Sequence, residues 1–143
     1  MIEVEIEDEA WTRALPQAEI LVMVAADAAL TGGGTVAVLL TSDDEVAALN
    51  QQFRGKAGPT NVLSFPAPPN PEDSRGDIAL AYGVCAREAA EQGKSLADHL
   101  QHLVAHGVLH LLGYDHQTEA QAEAMEALER AILSGIGVSD PYA

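Results

Sequence analysis

Four of the chain's five histidines stand at positions 99, 102, 106 and 110. Steps of three and four residues return to one side only in a helix, at ~3.6 residues per turn. Ser95 with Asp98 three residues on makes a capping signature and Gly113 a stop, so the spacing predicts a helix from Ser95 to about Leu112. Imidazoles clustered on one helical face repel when protonated and gain most by sharing a cation or hydrogen-bonded partners. His106 and His110, at i and i+4, direct two rings at one point, and the turn through Tyr114 and Asp115 lets His116 return to it. His102 lies about one turn, or ~6 Å, farther away. That excludes it from the ligands and leaves His99 and His102 as supporting, substrate-channel or plain structural residues.

Three imidazoles with an open fourth position form the catalytic type of zinc site, whereas structural zinc is usually closed by four ligands with cysteine prominent. The single cysteine, Cys85, falls in an Ala- and Val-rich helical stretch and reads as an inert buried thiol. The expected cofactor is one Zn2+ per chain on His106, His110 and His116, although nickel, cobalt and manganese suit the same donors. The spacing His-x3-His-x2-Gly-x2-His also matches metzincin proteases. However, Gly107 occupies the position of their glutamate base, which disfavours peptide hydrolysis, and a glycine there is expected to open space beside the metal.

The remaining pattern predicts one α+β domain over residues 1–143, with a mixed sheet of about four strands, about five helices and the zinc site at the end of a central helix. Ile2, Val4 and Ile6 alternate with glutamates, as in a charged edge strand. Trp11 to Leu30 reads as one helix with Pro16 near its first turn, closed by Gly32 to Gly34. Strands are expected at Thr35 to Thr41, Val62 to Phe65 and Ile78 to Tyr82, and further helices at Ser42 to Phe53, Gly83 to about Gly93, and Thr118 to Gly135. With 48% hydrophobic but only 4% aromatic residues, the core must be aliphatic. No apolar run approaches the ~18 residues of a membrane span, and the acid-and-aliphatic start is unlike a secretory signal, so a cytoplasmic location without membrane contact is expected. A net charge of −15 argues against ordinary polyanion binding, and no DNA partner is expected. A nucleic-acid role would need a local positive groove or a bound cation.

The segment from His106 to His116, HGVLHLLGYDH, closely resembles the signature of the bacterial YbeY family. The stretch from Leu49 to Pro66, LNQQFRGKAGPTNVLSFP, resembles that family's other hallmark, followed by Gly76-Asp77-Ile78 and the C-terminal Asp140-Pro141-Tyr142. Together these blocks cover residues 49 to 142, while residues 1 to 48 agree only in general pattern. The resemblance implies a metal-dependent, single-strand-specific endoribonuclease acting in maturation of the 16S rRNA 3′ end and in ribosome quality control. Its partners would be the 16S rRNA precursor and the ribosome or ribosomal proteins. It also implies zinc on His106, His110 and His116, and a role in activity for Arg54.

Read on its own, Arg54 belongs to a loop, Arg54-Gly55-Lys56, in a chain with only seven basic residues. The pair either solvates that loop or, beside the metal, binds a phosphodiester, with Lys56 adding positive potential. A bound metal would lower the pKa of its water to about 7 or polarise a phosphoryl oxygen. Attack by water does not need the ribose 2′-hydroxyl, whereas attack by that hydroxyl leaves a cyclic phosphate. No general base stands out, because Asp115 can simply shape the turn and Asp77 can simply cap or orient a histidine. Two other readings remain: a ribosome-assembly or RNA-binding factor with structural zinc, and a metzincin-like metal hydrolase.

Overall fold

The computed structural model describes residues 1–143. In chain order it contains β1 (Ile2–Ile6), α1 (Glu9–Ala14), α2 (Ala18–Ala29), β2 (Thr35–Thr41), α3 (Asp43–Arg54) and β3 (Val62–Pro66). There follow β4 (Ser74–Ala81), α4 (Tyr82–Glu91), α5 (Leu96–Leu111) and α6 (Glu119–Gly135). The sheet has four strands in the order β1-β2-β4-β3. The first two pairings are parallel, and β3 runs antiparallel to β4 because the short intervening segment permits only a hairpin. This is the expected α+β architecture, with β1 at an edge whose exposed face carries Glu3 and Glu5.

Six helices stand where about five are expected, because the predicted helix from Trp11 to Leu30 is two. Asp8 caps α1 by accepting from the Ala10 amide, and Leu15 leaves the helical conformation, at φ −134° and ψ 88°. Pro16 explains the break: its ring disfavours helical backbone at the preceding residue. Strand β4 begins at Ser74 rather than Ile78, since Ser74 to Asp77 extend the ladder with β2. Gly76 lies within that extension at φ 134°, where a Cβ would collide with the Phe65 carbonyl.

The principal core lies on one sheet face, where Val36, Val38, Leu40, Ile78 and Leu80 meet α2 and α5. Alanines 25, 26 and 29 of α2 and Ala105 of α5 are also buried there, which lets the helices pack closely with few aromatic side chains. The large exception is Trp11, fully buried, whose Nε1 donates to the Thr41 carbonyl at 3.0 Å. A smaller cluster of Val46, Leu63, Ala79 and Ala81 joins α3 to the opposite face. This packing holds α5 beside the edge strand β3 and places the end of α3 on the wall of one cavity with the α5 histidines.

Candidate metal centre

Ser95 opens α5 by accepting from the Asp98 amide, and the helix buries Leu100, Val104, Val108 and Leu111 against the core. Its stop is a Schellman motif. The Tyr114 amide donates to the Leu109 carbonyl and the Gly113 amide to that of His110, both at 3.0 Å, with Gly113 at φ 100°. Asp115 then accepts from the His116 amide at 2.8 Å, so its turn-shaping role is realised. The result brings His106, His110 and His116 together, with one potential donor atom from each lying within 4.8 Å of the others.

Within this group, the Nε2 atoms of His106 and His110 face each other at 3.0 Å. Burial, reinforced by the neighbouring His106 and His116 rings, holds the pKa of His110 below its ordinary value. That favours the neutral imidazole, the form that binds a metal. Zinc–nitrogen bonds of about 2 Å in a tetrahedron place two nitrogens about 3.3 Å apart. The 3.0 Å pair and the 4.8 Å outer limit bracket that separation, and an all-imidazole set is chemically suited to zinc. The group is therefore one that can hold a metal ion.

Behind the histidines lies a residue that sequence reasoning missed. Glu129 of α6 is 1% exposed, and its Oε1 accepts from His102 Nε2 at 2.7 Å and from His106 Nδ1 at 3.2 Å. Burial alone would raise its pKa, but the hydrogen bonds from His102 and His106 outweigh burial and bring it down to about 2. The signal in the sequence is slight: a glutamate between Met125 and Leu133, on their buried helical stripe. His102 is thus a neighbour of His106 through this carboxylate. His99 has a different partner: its buried Nε2 pairs with Glu88 at 2.9 Å, and Glu88 also accepts from Asn61.

A cavity of about 600 Å³ opens beside the group and is walled by Arg54, Asn61, Ser64, His106, His110 and His116 among others. Arg54 is the last residue of α3 rather than the start of a loop, and Gly55 caps the helix in left-handed conformation. Asn50 braces the following segment by donating to the Gly58 carbonyl at 2.9 Å. Lys56 is exposed and does not line the cavity. Cys85 is buried, and that burial, with the Glu88 and Asp43 charges, pushes its thiol pKa up, as suits an inert role.

Two expectations need correction. Gly107 does not open space beside the metal: a Cβ there would lie 3.0 Å from Ile78 Cδ1 and 3.2 Å from Ser64 Oγ. A side chain there would instead crowd the contact of α5 with the sheet. Asp77 orients no histidine. It is exposed on β4 and lines a groove with Glu3, Glu5 and Phe53 away from the histidine cavity.

A family model described as Endoribonuclease YbeY matches residues 3–137. A protein of that name from Maricaulis maris is 51% identical over 99% of this chain and 91% of its own length. Another from Rhodopseudomonas palustris is 49% identical over 99% of this chain and 80% of its own. The solution structure of a Thermotoga maritima protein aligns with a TM-score of 0.59 at 29% identity, covering 95% of this chain and 91% of that one. The chain belongs to the YbeY endoribonuclease family.

Proposed function

We propose that residues 1–143 act as one zinc-dependent, single-strand-specific endoribonuclease domain, which matures the 3′ end of 16S rRNA and serves ribosome quality control in the cytoplasm. The observation that carries this reading is the convergence of His106, His110 and His116 on one cavity with Arg54 on its wall. Family membership supports RNA as the substrate. The named relatives are endoribonucleases, and that activity is proposed here for this chain. No helix is long and apolar enough to cross a membrane.

In this reading His106, His110 and His116 hold the zinc. Bound there, the ion supplies Lewis acidity towards water or a phosphoryl oxygen and positive charge in an acidic protein. Arg54 supplies a second positive group: its planar fork donates to two phosphate oxygens, orients the phosphodiester and stabilises charge that develops on them. The two cations together answer the objection raised by the net charge of −15, since the favourable field is local. Ribosomal proteins supply further contacts.

Cleavage of precursor 16S RNA by purified chain, with a matching duplex as control, tests this reading. Expected is cutting of the single-stranded 3′ region, with the duplex spared. Analysis of the new ends then separates water attack from 2′-hydroxyl attack. Intact RNA, with unfolding on metal removal, would point to an assembly factor with structural zinc. Peptide cleavage with RNA untouched would point to a protease.

A further inference from the structure

Glu129 is a buried carboxyl group that the three proposed histidine ligands do not by themselves account for, and a buried polar group needs hydrogen-bond partners. Its partners are His102, His106 and Tyr142, with no lysine or arginine among them. The His106 bond explains the placement. Nδ1 donates to the carboxylate, so the other ring nitrogen, Nε2, is left directed at His110. A metal ligated through Nε2 would then be held by a ring whose orientation this hydrogen bond already fixes.

The carboxylate is itself anchored from outside. The Tyr142 hydroxyl donates to Glu129 at 3.0 and 3.1 Å to its two oxygens, and lies 3.3 Å from His102 Nε2. The segment carrying Tyr142 is tied down in turn. Lys94 Nζ donates to the Pro141 carbonyl at 3.0 Å, and Arg130 pairs with Asp140 at 3.3 Å while its guanidinium stacks 5.2 Å above the Tyr142 ring. The C-terminal Asp140-Pro141-Tyr142 therefore reaches the histidine group through one carboxylate.

From this arrangement we infer that Glu129 is a positioning residue for the metal centre, holding the His106 ring by Nδ1, with Tyr142 as its outer anchor. The inference rests on reading His106, His110 and His116 as metal ligands. Partners in this location orient the ligating ring and raise its basicity, and their loss typically weakens metal binding by about 10–100-fold.

The test measures zinc affinity of the full chain by chelator competition, together with the visible spectrum of the cobalt-substituted protein and the metal-free melting temperature. Glu129→Ala is expected to bind zinc about 10–100-fold more weakly. Glu129→Gln should recover part of that loss, because its amide oxygen still accepts from Nδ1, and its cobalt spectrum should differ from wild type. Tyr142→Phe loses a single hydroxyl and is expected to show a smaller loss in the same direction, which keeps the test open if Glu129→Ala fails to fold. Wild-type zinc affinity and cobalt spectra in Glu129→Gln and Tyr142→Phe, even with lowered melting temperatures, would make the carboxylate purely structural and overturn the inference. A wild type that holds no metal would overturn the ligand reading as well, so the two failures are distinguishable.

Discussion

The Nε2 atoms of His106 and His110 stand 3.0 Å apart, one helical turn from each other on α5, so neither ring can be removed without opening the point on which both converge. His110→Ala is accordingly expected to lose stoichiometric zinc. RNA cleavage should fall by more than about 100-fold, beyond the usual loss from an outer partner. Elemental analysis and a cleavage assay on the same preparation check this. The far-ultraviolet circular dichroism should be unchanged, because the core on this helix is formed by Leu100, Val104 and Val108.

On the proposed reading, Arg54 acts on the substrate and not on the metal. Arg54→Ala is expected to keep its zinc while kcat/KM on RNA falls by about 100-fold, the usual scale for one lost donor at developing charge. Arg54→Lys should restore only part of it, since an ammonium lacks the two-pronged fork. Equal activity in all three proteins would return Arg54 to the role of a solvated surface residue.

Gly107 is expected to tolerate a side chain poorly. Gly107→Ala gains about 1 kcal/mol of helix propensity but meets Ile78 Cγ2 at 3.1 Å and Ser64 Oγ at 3.2 Å. Overpacking costs about 1–3 kcal/mol, so a modest net destabilisation is expected, read as a lower urea midpoint. Gly107→Glu should cost more than about 3 kcal/mol by forcing a charge into a helix–sheet contact, and should yield no peptidase.

Acid stability should depend on His99. Burial lowers its folded pKa below the ordinary 6.5, with the Glu88 carboxylate opposing and His102 and Lys94 adding to the effect. Between the two values the unfolded chain binds a proton that the folded one does not, so stability is present above 6.5 and falls as pH drops through that window. The urea midpoint of the metal-free protein should therefore be lower near about pH 5.5 than near about pH 7.5, with a shallower slope for His99→Gln. His110 contributes with the same sign in both proteins, so the difference between them isolates His99.

Much of this was legible because it is local. Ser95, the aliphatic stripe and Gly113 specify α5 and its turn within one short segment, and those features alone bring His106, His110 and His116 together. The parts that escaped depend on distant neighbours. Ser74 to Asp77 become strand because β2, and for Gly76 and Asp77 also β3, pairs with them, and Gly107 looks like open space until Ile78 and Ser64 are seen against it. Glu129 reads as an ordinary helical surface charge until α5 and Tyr142 supply its partners. Pro16 was visible, but the break depends on the backbone adopted by Leu15 before it.

The central claim is that one metal ion at the three histidines makes this chain cut RNA. Its most direct test measures cleavage of precursor 16S RNA by a single preparation as isolated, after chelation to metal-free protein, and after stepwise return of zinc. The account predicts loss of cleavage on chelation and recovery that saturates at about one zinc per chain. Full cleavage by the metal-free protein would contradict it.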